Sequence, residues 1–206
     1  DIALCELTGG RLHIAHVSTD ESVRLIHQAK ERGIPVTAET APHYFTLTEE
    51  AVMGYNTNAK VSPPLRTAKD RDAIRQALAD GTIDVIASDH APHSSVEKEL
   101  EFDAAANGLV GLETSLPLSL ALVHNGLLSL SDLVGKMSVN PARILGLKHL
   151  GFRLGNPADV TIIDLGRQFD VDAKTFRSKS RNTPFNGMTL KGKAVMTMVG
   201  GKIVFE

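Results

Sequence analysis

Four short segments set metal-ligating or proton-transferring side chains directly after apolar runs. In the sharpest, Val85-Ile86-Ala87 leads through Ser88 into Asp89-His90-Ala91-Pro92-His93. A carboxylate at a strand end can ligate a borderline metal and can also take a proton from water. Pro92 stiffens the turn that follows and holds His93 four residues beyond the acid. The same spacing also suits a turn cap at Asp89 and a solvent-facing His93. The second segment is His13-Ile14-Ala15-His16-Val17-Ser18. Side chains alternate faces along a strand, so His13 and His16 are expected to point oppositely. His16, at the carboxyl end, is the candidate ligand, and His13 is expected to be packed or hydrogen-bonded. The third segment, Glu39-Thr40-Ala41-Pro42-His43-Tyr44, could line the same mouth. His43 ranks behind His16. Glu39 reads either as a carboxylate that orients a ligand histidine or as a satisfied strand-end group. In the fourth, Asn58 to Arg66, the pair Pro63-Pro64 makes a stiff loop that presents polar groups or merely connects.

Other chemistries lack their residues. The sequence has no Gly-x-x-x-x-Gly-Lys-Ser/Thr loop, no Gly-x-Gly-x-x-Gly after a strand and no Gly-x-Ser-x-Gly elbow. The single cysteine, Cys5, lies outside the strand-end segments. Metal-assisted hydrolysis is the reaction class that remains.

The elements that must position these groups are strands alternating with helices. Leu12–Val17, Ile34–Ala38 and Ile83–Ala87 read as strands. Ser18 to Glu21 reads as a capping box with Ser18 as N-cap. Its helix carries Val23, Ile26 and Ala29 at helical spacing and stops at Gly33. Thr40 to Arg66 reads as loop. Thr67 caps a helix with Ile74, Ala77 and Leu78 on one face. A long apolar helix is expected over Glu113–His124, closed by Gly126. Asn140 reads as the N-cap of a short helix, with Pro141 at its first position. This order implies a parallel sheet with right-handed crossovers, doubly wound or barrel-like. In both, sites gather at the carboxyl ends of strands, where His16, His43, Asp89 and His93 fall. After Gly151 the pattern turns β-rich: Val160–Leu165, Val195–Val199 and Lys202–Phe205, the last two joined by Gly200-Gly201. The expected division is an α/β part over 1–150 and a β-rich part over 151–206.

Composition narrows the class. The 206 residues carry 22 Lys+Arg against 24 Asp+Glu, a net charge of −2, with 42% hydrophobic residues. Disorder needs lower hydrophobicity and higher charge, and nucleic-acid binding needs a basic excess. One cysteine rules out an intrachain disulfide framework and suits a reducing, cytoplasmic setting. No apolar run approaches the ~20 residues of a membrane span, and the first residues lack the basic stretch of a signal peptide.

At these motifs the chain resembles the dihydroorotases of the amidohydrolase superfamily. The resemblance runs through Ala87 to His93 with Lys98 beyond it, His16-Val17-Ser18-Thr19, Ala41-Pro42-His43, Pro63-Pro64-Leu65-Arg66 and Gly108 to Thr114. It continues through Gly155 to Asp159 and Asn182 to Gly187. It implies a zinc-dependent cyclic amidohydrolase, binuclear in the complete enzyme, that interconverts N-carbamoyl-L-aspartate and dihydroorotate in pyrimidine biosynthesis. It implies His16 and Asp89 as metal ligands, with Asp89 doubling as catalytic base and acid. Substrate contacts fall to His93, to the backbone of Asn107 and Gly108, and to Ser62, which stands where related sequences usually carry asparagine. It also implies a (β/α)8 barrel of which this chain holds about three strands, six to eight, followed by a small β-rich region. The His-x-His pair, the bridging group and another histidine of such sites do not precede His16. The chain therefore reads as a C-terminal portion that needs its N-terminal barrel half and is inactive and aggregation-prone alone. A homodimer or a complex with aspartate transcarbamoylase is the expected assembly. The alternatives are another cyclic-amide hydrolase, a hydantoinase or allantoinase, and a non-catalytic scaffold of aspartate transcarbamoylase.

Overall fold

The computed structural model describes residues 1–148 and 151–206. Helix α1 (Ile2–Thr8) leads into strand β1 (Leu12–Ile14), helix α2 (Asp20–Glu31) and strand β2 (Val36–Thr40). Helix α3 (Pro42–Thr46), two 3-10 turns (Glu49–Val52 and Thr57–Ala59) and helix α4 (Ala68–Asp80) follow. Strand β3 (Val85–Ile86), helix α5 (Ser95–Lys98) and helix α6 (Leu112–His124) come next. A continuous helical run then comprises α7 (Leu130–Val134), a π-helical turn (Gly135–Val139) and α8 (Asn140–Ile144). Strands β4 (Val160–Asp170), β5 (Thr189–Val199) and β6 (Lys202–Phe205) close the chain, with a 3-10 turn at Ala173–Thr175.

β1, β2 and β3 are parallel neighbours in chain order, with Leu12 opposite Val36 and Glu39 opposite Val85. Strand order that never reverses is the pattern of a barrel wall, whereas a doubly wound sheet turns back at a switch point. Sheet and helices pack through Ala38, Ile26, Ile74, Leu78, Ile83, Ile86 and Leu120, all buried. At the amino end of β3, away from the candidate site, Lys136 Nζ donates to the Ile83 carbonyl at 2.7 Å and Asn140 Nδ2 to that of Asp84 at 2.9 Å. The Asp84 carboxylate in turn accepts from Lys30 Nζ at 2.7 Å and the Ala38 amide at 2.8 Å. These bonds tie helices α2 and α7–α8 to the sheet.

β4, β5 and β6 form a separate antiparallel sheet. Its seat is α6: a methyl group on Gly192 would meet Leu120 Cδ1 at 2.3 Å, so the strand lies directly on the helix. Val171, Phe185 and Leu190 share one core cluster with Tyr44, Val61, Leu109 and Leu118. The expected division at 150/151 falls at residue 150, outside the described residues.

Several expectations need correction. The N-cap of α2 is Thr19, whose hydroxyl accepts from the Ser22 amide, and not Ser18. The short helix begins at Asn140 as expected, but Asn140 is not its N-cap: Val139 before it is already helical, and the Asn140 amide group is spent on the Asp84 carbonyl. Thr40 to Arg66 contains α3 and two 3-10 turns, because Pro42 at the first helical positions starts a turn of Pro42, His43, Tyr44 and Phe45, all buried. β4 and β5 run longer than their apolar stretches. Register shifts after Ile162 and Asp164 absorb the polar and glycine positions that interrupt the alternation.

Candidate functional site

Three strand ends meet at Asp89. Asp89 Oδ1 lies 3.6 Å from His16 Nε2, and Asp89 Oδ2 lies 3.4 Å from His43 Nε2. The local backbone explains the meeting. His16 has φ of 56° and Asp89 φ of 45°, in the left-handed region that residues with a Cβ seldom occupy. Each sits just past its strand, so the turn aims the side chain inward across the strand ends instead of letting it follow the pleat.

That turn also overrides the alternation expected for His13 and His16. Strand β1 ends at Ile14, and both imidazoles reach one carboxylate: His13 Nε2 lies 3.3 Å from Glu39 Oε2 and His16 Nδ1 lies 3.2 Å from Glu39 Oε1. His13 Nδ1 pairs with Thr37 Oγ1 at 2.8 Å, so His13 is hydrogen-bonded as expected. Glu39 bridges the two histidines.

His43, ranked behind His16 on sequence grounds, approaches Asp89 as closely as His16 does. Its ring is 1% exposed and lies against Tyr44, ring centroids 4.1 Å apart. Burial, with the nearby His16 charge, pushes the His43 pKa down to about 3, so this imidazole is neutral at ordinary pH. Burial raises the Asp89 carboxyl above its usual value; His16 opposes the rise and Glu39 adds to it. A carboxylate raised in this way is a better proton acceptor than a solvated one. His43 Nε2 and His16 Nδ1 are buried without a hydrogen-bond partner. The pairing of His16 with Glu39 is thus one of distance, without hydrogen-bond alignment.

A second group of side chains adjoins the first along the segment after Asp89. The Ala91 amide donates to the Leu109 carbonyl at 2.8 Å, so residues 107–111 run beside residues 88–93. His93 Nε2 lies 2.9 Å from the Asn107 carbonyl oxygen. Gly108 has φ of 131°, and a methyl group there would lie 2.5 Å from Ala91 Cβ. A cavity of about 330 Å³ opens beside His93, walled by Asn58, Lys98, Lys179, Arg181 and Asn182 among others. The structure thus brings His16 to Asp89, and His93 to Asn107 and Gly108. Ser62, exposed ahead of Pro63, does not line that cavity.

Three residues make contacts that the sequence does not announce. Asn182, from the β-rich part, accepts from the His93 amide at 3.2 Å and donates to the Ala91 and Gly108 carbonyls at 3.0 and 3.1 Å. His90 Nδ1 accepts the first amides of α6, from Gly111 at 3.2 Å and Leu112 at 3.3 Å. Glu39 joins two histidines where one was expected. Their partners are distant in sequence or depend on a backbone turn, so no spacing announces them. Among the described residues, no group of three or more His, Cys, Asp and Glu makes a complete metal cluster. His16 and Asp89 make two candidate ligands where a catalytic zinc site usually takes three.

A family model for amidohydrolases matches residues 5–204. The chain belongs to the amidohydrolase family. Within that family it is 57% identical over 206 residues to a dihydroorotase of Syntrophus aciditrophicus, covering all of this chain and 48% of that protein. It is 59% identical over 208 residues to a dihydroorotase of Desulforapulum autotrophicum, again covering 48% of the relative. Among solved amidohydrolase folds it resembles an L-hydantoinase (dihydropyrimidinase) from Arthrobacter aurescens with a TM-score of 0.93 at 39% identity, covering all of this chain and 47% of that one. A dihydropyrimidinase from Brevibacillus agri gives a TM-score of 0.93 at 30% identity and the same coverage. This amidohydrolase chain spans about half the length of the curated relatives it matches. The expected α/β portion with an appended β-rich region agrees with these likenesses.

Proposed function

We propose that this chain is the C-terminal portion of a dihydroorotase, which interconverts dihydroorotate and N-carbamoyl-L-aspartate in pyrimidine biosynthesis. The observation that carries the reading is the convergence of His16 and Asp89, 3.6 Å apart, each on a left-handed turn just past its strand. The choice of substrate rests on identity: 57–59% to dihydroorotases against 39% to the L-hydantoinase.

A divalent metal fits this corner. The buried, unpartnered imidazole nitrogens and a carboxylate make a donor set suited to zinc. His16 and Asp89 would hold it, and the rest of a binuclear set would come from the preceding half of the complete enzyme. Such a metal supplies Lewis acidity toward the ring amide carbonyl. In the hydrolytic direction Asp89 accepts a proton as water adds to that carbonyl. It returns the proton to the ring nitrogen as the C–N bond breaks; cyclisation reverses both transfers. Neutral, buried His43 lies beside the second Asp89 oxygen, 3.4 Å away. His93, with the backbone of Asn107 and Gly108, meets the acidic substrate; Ser62, outside that cavity, keeps its proposed contact only by resemblance.

No described helix is long and apolar enough to cross a membrane; a cytoplasmic setting, with a homodimer or an aspartate transcarbamoylase complex, belongs to the same proposal. So does the two-part division at residue 150. The scaffold alternative is disfavoured because His16, Asp89 and His93 all stand in place.

The test is the complete protein assayed with dihydroorotate, hydantoin and allantoin. Turnover of dihydroorotate alone is expected, and turnover of hydantoin without dihydroorotate would favour the hydantoinase reading. The 206-residue chain alone, given zinc, should show no enzyme-like turnover. His93→Ala in the complete protein should weaken dihydroorotate binding, raising KM by about tenfold or more for the loss of one contact to a charged ligand. An unchanged KM would remove His93 from the substrate site.

A further inference from the structure

Lys98 is buried, 3% exposed, and Lys60 reaches the same loop. Lys98 Nζ donates to the carbonyls of Ala106 at 2.7 Å and Gly108 at 3.0 Å. Lys60 Nζ donates to the carbonyls of Asp103 at 2.9 Å and Ala105 at 2.7 Å. His93 Nε2 lies 2.9 Å from the Asn107 carbonyl between them. Four consecutive carbonyls, 105 to 108, are therefore each held by a side chain from elsewhere in the chain.

That pattern has a geometric consequence. In a trans peptide the C=O of one residue and the N–H of the next point in opposite directions. With the Ala106 carbonyl turned onto Lys98, the Asn107 N–H is aimed the other way, from an exposed residue, and it takes no partner among the described backbone bonds. Its neighbours are tied down: the Ala106 amide donates to Glu97 at 3.0 Å and the Gly108 amide to Lys60 at 2.9 Å.

We propose that Lys98 and Lys60 are positioning residues for substrate recognition, clamping residues 103–108 so that the Asn107 amide, with His93 held against the same loop, faces an anionic, acceptor-rich ligand in one fixed orientation. The proposal deepens the dihydroorotase reading and rests on it for the ligand. An apolar side chain would fill the Lys98 site at lower desolvation cost. Burial and the Lys60 charge together pull the Lys98 pKa down to about 8, a measure of that cost. A lysine kept there in spite of it fits a role in loop geometry.

The experiment uses the complete protein with Lys98→Met and Lys98→Met/His93→Ala. Lys98→Met should raise KM for dihydroorotate by about tenfold while kcat changes much less and metal content stays the same. The double variant should lose less than the product of the two single effects, because both hold the same loop, Lys98 by the Ala106 and Gly108 carbonyls and His93 by the Asn107 carbonyl between them. Hydrogen exchange of amides 103–108 should accelerate in Lys98→Met while exchange in β1–β3 does not. An unchanged KM with dihydroorotate turnover intact overturns the proposal. Unchanged exchange in 103–108 overturns it whatever the substrate. If the wild-type protein turns over hydantoin in place of dihydroorotate, the functional reading fails, and the exchange result alone then decides the clamp.

Discussion

Asp89→Ala in the complete protein is expected to lower kcat for dihydroorotate by at least about a thousandfold, since removal of a general acid–base group alone typically costs 10²–10⁴. The substitution removes more than the proton acceptor. His16 Nε2, 3.6 Å away, loses the carboxylate with which it would share a metal, so bound metal should fall in parallel. Asp89→Asn separates the two losses. The amide keeps the shape but has no negative charge and cannot accept the proton, so activity should be lost even where some metal is retained. Metal content by elemental analysis and kcat by the cyclisation assay are the two readouts. An Asp89→Ala enzyme within tenfold of wild type would show that the strand-end acid is structural. The backbone at residue 89 has φ of 45°, a conformation that costs an alanine more than an aspartate or a glycine. Asp89→Gly avoids that cost and should fold at least as stably as Asp89→Ala, while remaining inactive.

How far the sequence announced this site depends on the kind of contact. Asp89 and His16 were legible because each follows a short apolar strand, and parallel strands bring their carboxyl ends together. The cap of α4 was legible for a local reason: Thr67 and Asp70 satisfy each other's backbone amides within one turn. At α2 two adjacent hydroxyls, Ser18 and Thr19, both offer a cap. The choice fell to Thr19, while Ser18 is buried beside Val17. The pairing of His13 and His16 on Glu39 was hidden because period-two alternation holds only inside a strand, and β1 stops at Ile14. His43 was undervalued for a related reason. The stretch after β2 looked like loop, yet Pro42 starts a turn that buries His43 and directs it at Asp89. Asn182 lies 89 residues beyond His93, and no local pattern encodes a contact of that span.

Gly108→Ala is the second substitution with a large expected effect, and two independent penalties combine in it. The backbone sits at φ of 131°, which an alanine adopts only under strain, at about 1–3 kcal/mol. The added methyl would also lie 2.5 Å from Ala91 Cβ, closer than two carbons can approach, and overpacking of a tight interior typically costs about 1–3 kcal/mol more. Ala91 cannot yield easily, because its amide donates to Leu109 and its carbonyl accepts from Asn182. The loop must yield instead. Its movement would loosen the Gly108 carbonyl from Lys98 and Asn182 and shift His93, whose Nε2 lies 3.3 Å from the methyl position. A lower thermal midpoint and a raised KM for dihydroorotate are therefore expected together. Gly126→Ala supplies the contrast. It shares a positive φ, 73°, but nothing lies within 4 Å of its methyl position, so it should lower stability through backbone strain and leave KM alone. Equal KM values for Gly108→Ala and wild type would mean that the loop beside Ala91 holds no part of the substrate.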